Sequence, residues 1–154
     1  MKVRIEINEN NNDEDEVIIR CSKLEERIQR VYDTVMDIAK GSRHLILNKG
    51  NVEYYLPLDS ILFFETSDNC ISAHTVNDVY ETTYRLYELE ELLPGNFMRV
   101  SKSTIINLNH IYSISRNLTA SSEIQFINSH KQVFVSRHYY KSLKFRLEEK
   151  RNRI

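Results

Sequence analysis

From His44 to Val135 the chain runs as one short apolar segment after another, each cut off by turn residues. This rhythm restricts it to a mostly β fold. HLILNKG and NVEYYLPL read as two strands around a turn at Lys49–Asn51, with Pro57 at an edge or a strand end. ILFFET reads as a short buried strand followed by a turn at Ser67–Asn69. CISAHTV and VYETTY pair around Asn77-Asp78 as a hairpin. Further strands are expected at Arg99–Val100, Ile105–Asn107, Ile111–Ile114, Glu123–Ile127 and Val133–Val135. Arg85–Leu93 reads instead as a short helix, with Leu86, Leu89, Leu92 and Leu93 on one face and Pro94-Gly95 ending it. A last helix is expected from about Tyr139 to Lys150. Strands do not alternate with long helices, so a parallel βαβ sheet is excluded.

The first 43 residues follow a different pattern. KVRIEI alternates like a short strand, with Val3, Ile5 and Ile7 on one face, and the acidic stretch Asn8–Glu16 reads as a solvated loop. Val17–Cys21 is another strand candidate. Ser22-Lys23-Leu24-Glu25 has the form of a capping box, predicting a helix that runs to about Lys40 and stops at Gly41. Leu24, Ile28, Val31, Val35 and Ile38 recur with 4-3-4-3 heptad spacing, and Tyr32, Met36 and Ala39 widen the stripe. Two readings stay open: a helix packed on its own domain, or one that dimerises or binds a partner. Residues 1–43 therefore form a strand-and-helix extension and residues 44–154 the main domain.

Bond-making chemistry finds little support. The three glycines make no GxxxxGK loop, and neither GxSxG nor HExxH occurs. The five histidines (His44, His74, His110, His130 and His138) have no ligand spacing, and His74, in an alternating strand, reads as a structural or surface residue. Cys21 and Cys70 lie far apart and read as free thiols of a reducing compartment. The pairs Glu25-Glu26 and Glu90-Glu91 read as solvated helix surface. The reading is a non-enzyme with no catalytic residue, metal, cofactor or small-molecule substrate. No apolar run approaches a membrane span, and MKVRIEINEN lacks a signal-peptide core, so a cytoplasmic protein is expected.

A net charge of −1 hides an asymmetry. Residues 97–154 hold 11 Lys/Arg against three acids, a charge of +8, and the first 96 residues carry −9. A basic half offers an electrostatic route to phosphate backbones; a merely solvated surface is the plainer alternative. Within it, Arg99, Ser101, Lys102 and Ser103 precede the strand at Thr104, and Arg137, His138 and Lys141 follow the strand ending at Val135. Loop-borne donors on a β scaffold suit the reading of a duplex. Arg137 can fork onto the O6 and N7 of a guanine, with a surface salt bridge as its alternative. Lys102 can reach a guanine edge or a phosphate, and Ser101 and Ser103 can donate to phosphate. Arg99, Arg116, Lys141 and Lys144 would supply backbone contacts and salt dependence. Tyr139 and Tyr140 could stack on single strands, although Tyr140, Leu143 and Leu147 recur as a packing face.

ILFFETSDN, YELEELLP, FMRVSKSTIINLNHI and VFVSRHYYKSL occur in an order and spacing that resembles the LytTR DNA-binding domain, over about Leu45 to Leu147. The resemblance implies an elongated fold of three β-sheets with short helices. It also implies binding to paired direct repeats in promoter DNA, with loops in successive major grooves and the duplex bent. By motif, Lys102 and Arg137 become base readers, and a third reading position falls at Ser67–Ile71. There Asp68 would repel phosphate, which makes Asn69 the candidate; Ser101 stands where the family often has His. Such domains often follow a receiver domain, and the residues before His44 are too few for one. The resemblance is thus to a stand-alone transcription regulator, a homodimer on DNA, of a class in which a membrane protein can be the controlling partner. The competing reading is a protein-interaction module built on the heptad helix, its basic surface incidental. A third, an RNA-binding β domain, would need exposed aromatics for stacking.

Overall fold

Alternation of buried and exposed side chains builds the strands, and continuous burial marks those at the centre. The computed structural model describes residues 17–39, 43–117 and 121–152, and the chain divides into two units, Met1–Gly41 and Ser42–Ile154. In the second unit the strands are β1 (His44–Lys49), β2 (Val52–Pro57), β3 (Phe63–Ser67), β4 (Cys70–His74), β5 (Val79–Thr82), β6 (Phe97–Ser101), β7 (Thr104–Asn107), β8 (Ile111–Ser115), β9 (Ser122–Phe126) and β10 (Gln132–Val135). They form a seven-stranded sheet, ordered β2-β1-β5-β4-β3-β7-β6, and a three-stranded sheet, β10-β9-β8. Every pairing among the described residues is antiparallel.

The expected three sheets are two here, for a specific reason. Only one register pair, Asn48 opposite Glu81, joins the β1–β2 hairpin to β5. The hairpin, the group from β5 to β6 and the β8–β10 sheet are the three groups, and that narrow seam fuses the first two.

Neighbouring residues on the central strands feed opposite faces. Phe64 of β3 and Ile105 of β7 belong to a core with Leu45, Leu47, Ile71, Tyr80 and Phe97, closed by Leu86 and Leu89 of helix α2 (Leu86–Leu92). Phe63 and Ile106, one residue away on each strand, enter a second core with Val100, Ile124, Phe126, Val133 and Val135, capped by Leu143 of helix α3 (Arg137–Arg151). Burial on both faces explains why ILFF and TII read as unbroken apolar runs. Gly50, at φ +61° in the β1–β2 turn, takes a backbone conformation that favours glycine.

Arg146 and Lys150 seat the far half of α3 by donating to the Gly95 carbonyl and the Asn109 side chain. In the first unit, helix α1 spans Glu26–Ala39. It begins four residues beyond Ser22, so the capping box does not start it, and Leu24 precedes the helix. Val17–Cys21 forms no strand. The strand expected at Val3–Ile7 and the stop at Gly41 lie outside the described residues.

Candidate nucleic-acid interface

Antiparallel pairing of β3 with β7, with Glu65 opposite Thr104, brings the β3–β4 and β6–β7 turns out at the same end of the large sheet. The first turn, Asp68-Asn69, is exposed, and Asp68 lies in the left-handed region at φ +50°, which Asp tolerates better than most residues. The second, Lys102-Ser103, is exposed as well. A backbone hydrogen bond from Thr66 N–H to the Ser103 carbonyl, at 2.9 Å, ties the two together.

A β-bulge recruits the third segment. On β6 Arg99 stands opposite Ile105 and Ser101 opposite Thr104, which leaves Val100 without a partner across the ladder. Its freed carbonyl accepts the N–H of Ser136 at 3.0 Å, and Ser136 is the residue that caps α3. Arg137, the first residue of the helix, thereby starts beside the strand that leads into Lys102. Asn69, Lys102 and Arg137, each exposed, are carried on segments linked by these two hydrogen bonds.

The expected phosphate-binding residues divide. Arg137, His138, Lys141 and Lys144 are exposed on α3, whereas Tyr139, Tyr140, Leu143 and Leu147 pack against the core. Phe145 of the same helix is 62% exposed. His138 meets Tyr139 edge-on, the ring centroids 5.0 Å apart. Arg116, just after β8, lies over the Tyr140 ring at 5.6 Å. The half-burial of both tyrosines leaves neither as an open platform for a single-stranded base.

Ser101 and Ser103 bond each other. Their hydroxyls are 3.3 Å apart, and the Ser103 N–H donates to Ser101 Oγ at 3.2 Å.

Arg99 is half-buried and committed to protein oxygens. Its Nε donates to the Ser101 carbonyl at 3.0 Å, one terminal nitrogen to the Lys102 carbonyl, and the other to the Glu90 carboxylate of α2. Glu90 is exposed on α2 as its sequence reading has it, and no sequence signal marks it as Arg99's partner. The bulge at Val100 is equally silent in the sequence.

A second group of ionisable side chains gathers around β4. His74 stacks on Phe63 with centroids 4.2 Å apart, and its Nδ1 is buried without a hydrogen-bond partner. Burial, reinforced by the charge of Lys131, pushes its imidazole down to about 4, although the Glu65 carboxylate sits 3.5 Å from Nε2. Lys131 in turn donates to the Thr75 and Asp78 carbonyls at 2.7 and 2.9 Å. Among the described residues no cluster of His, Cys, Asp or Glu could hold a metal ion, and no helix is long and apolar enough to cross a membrane.

This architecture has known counterparts. The profile of the LytTr DNA-binding domain matches residues 40–148. A solved LytTr DNA-binding domain from Bacillus cereus, of a protein described as a methyl-accepting/DNA response regulator, superimposes with a TM-score of 0.64 at 25% identity. The match covers 70% of this chain and 98% of that one. Uncharacterized HTH-type transcriptional regulators of Staphylococcus aureus strains NCTC 8325 and MRSA252 are 29% and 28% identical, over 96% of this chain and 98% of theirs.

Proposed function

The chain belongs to the LytTr DNA-binding domain family, and from that premise we propose that it is a transcription regulator reading double-stranded promoter DNA through Asn69, Lys102 and Arg137. DNA-binding regulation is the coarse function that the family and the regulators of matching length support. The relatives' names speak of a helix-turn-helix, but among the described residues of this chain strands separate each helix from the next. Reading here falls to turns and a helix start.

One observation carries the residue assignment. Three exposed segments of suitable chemistry are linked at one end of the sheet through Thr66–Ser103 and Val100–Ser136. Arg137 suits bidentate readout of guanine, Lys102 a guanine edge or phosphate, and Asn69 an adenine edge. Ser101, Ser103, Arg116, His138, Lys141 and Lys144 supply backbone contacts, which position the protein without reading sequence. On the family likeness alone we extend the proposal to paired direct repeats, loops in successive major grooves and a bent duplex. Pairing of two chains through α1 would place two domains on two repeats. The heptad stripe supports this reading, and Ile38 is 73% exposed on it.

The test is fluorescence anisotropy with two duplexes at two salt concentrations. One duplex is selected by the wild-type protein from a randomised pool, and the other is its scrambled counterpart. Arg137→Ala should lower the preference between them by about 10–100-fold, the worth of one bidentate base contact. A folded variant that keeps the wild-type preference would remove Arg137 from the readers.

A further inference from the structure

Arg99 and Lys102 lie three residues apart in a basic run, yet the fold treats them oppositely. Lys102 is exposed in the turn, whereas Arg99 has its side chain 27% exposed and its nitrogens committed to three protein oxygens. Two of those oxygens are the carbonyls of Ser101 and Lys102, which define the course of the turn. The third belongs to Glu90, on a helix whose Leu86 and Leu89 are anchored in the core. A planar guanidinium can hold three acceptors at fixed angles; an ammonium on a flexible stem cannot.

We propose that Arg99 is a positioning residue that does not touch DNA: braced by Glu90, it holds the Ser101 and Lys102 carbonyls and so aims the Lys102 side chain at the base edges. The inference rests on the reading of Lys102 as a base contact. The Val100 bulge adds to it, because the same strand also anchors the start of α3 through Ser136. Loosening the Lys102 turn therefore disturbs Lys102 and the Thr66–Ser103 tie to the Asn69 turn, and leaves the Val100–Ser136 hydrogen bond in place.

A phosphate-contacting Arg99 makes opposite predictions. Arg99→Lys keeps the charge, so a phosphate contact would survive with its salt slope and sequence preference intact. Positioning predicts that the preference for the selected duplex over the scrambled one falls about tenfold, with the salt slope unchanged. Glu90→Ala, on the exposed side of α2, separates the two again. Removal of an acid that competes for a phosphate-binding Arg99 would tighten binding to both duplexes alike. Positioning predicts unchanged or tighter binding to the scrambled duplex and a smaller preference. The Ser103 amide, which donates to Ser101 Oγ, should exchange with solvent faster in both variants.

The comparison uses the full chain, with Lys102→Ala alongside. Preference lost in Lys102→Ala but kept in Arg99→Lys and Glu90→Ala would overturn the positioning role alone. A wild-type chain that selects no consensus from the pool, or a Lys102→Ala variant with full preference, would overturn the reading of Lys102 and this inference with it.

Discussion

His74 shows how a single side chain can carry an environment that its sequence position does not announce. It sits in a strand, stacked on Phe63, which stacks in turn on Phe126 of the second sheet, so the imidazole continues a row of rings between the layers. Its depressed pKa means that the unfolded chain takes up a proton near pH 6.5 that the folded chain refuses until about pH 4. Stability should therefore be full above about pH 6.5 and fall as the pH drops toward 4. It levels off below that, with a total loss of up to about 3 kcal/mol from this group, less where solvent reaches the ring. Chemical denaturation across that window, compared with His74→Gln, checks it: the variant should lack this part of the slope. Lys131→Met should raise the His74 titration midpoint in NMR, since it removes a neighbouring positive charge.

Asn107 is a purely structural counterpart, fully buried at the end of β7. It donates to the Ile61 carbonyl at 3.0 Å and accepts from Asn96 and from the Asn109 N–H at 2.9 and 3.1 Å. Asn107→Leu would leave these groups unsatisfied and should destabilise the fold by about 2–4 kcal/mol in urea titration. An unchanged midpoint would show that the site relaxes or admits water. The sequence placed Asn107 correctly at a strand end, but its partners lie on segments that only folding brings together.

At the scale of elements, periodicity was a good guide wherever burial is regular. The strands from β1 to β10 and the helices α2 and α3 all fall close to their expected places, because alternation and unbroken apolar runs are direct consequences of one or two buried faces. Val17–Cys21 failed as a strand because an apolar run needs a partner edge, which no local signal supplies. Val31→Asp should shift the full chain toward monomer in sedimentation while thermal melting of the β domain stays unchanged, if α1 pairs with a second copy. A lowered melting temperature without a change in mass would instead make the stripe internal packing.

For the whole molecule, the relevant quantity is where the +8 of residues 97–154 faces. Arg146 and Lys150 are used to seat α3, whereas Lys141 and Lys144 are exposed along the helix that Arg137 begins. Neutral variants of Lys141 or Lys144 should weaken binding to selected and scrambled duplexes alike. Each should also reduce the slope of log K against log salt by about 1. A salt series over both duplexes reads this directly, and an unchanged slope would place the α3 face away from phosphate.

The sequence by itself determined the strand-rich class, the order of elements and the basic half, since these follow from spacing and composition along the chain. Its motif resemblance also named the family that the profile match shows. Tertiary structure alone decided which basic residues look outward. Arg99 is held by the carbonyls of its own turn and a carboxylate of α2 beside a bulge, whereas Lys102 stands exposed, an arrangement that strand pairing and helix packing set.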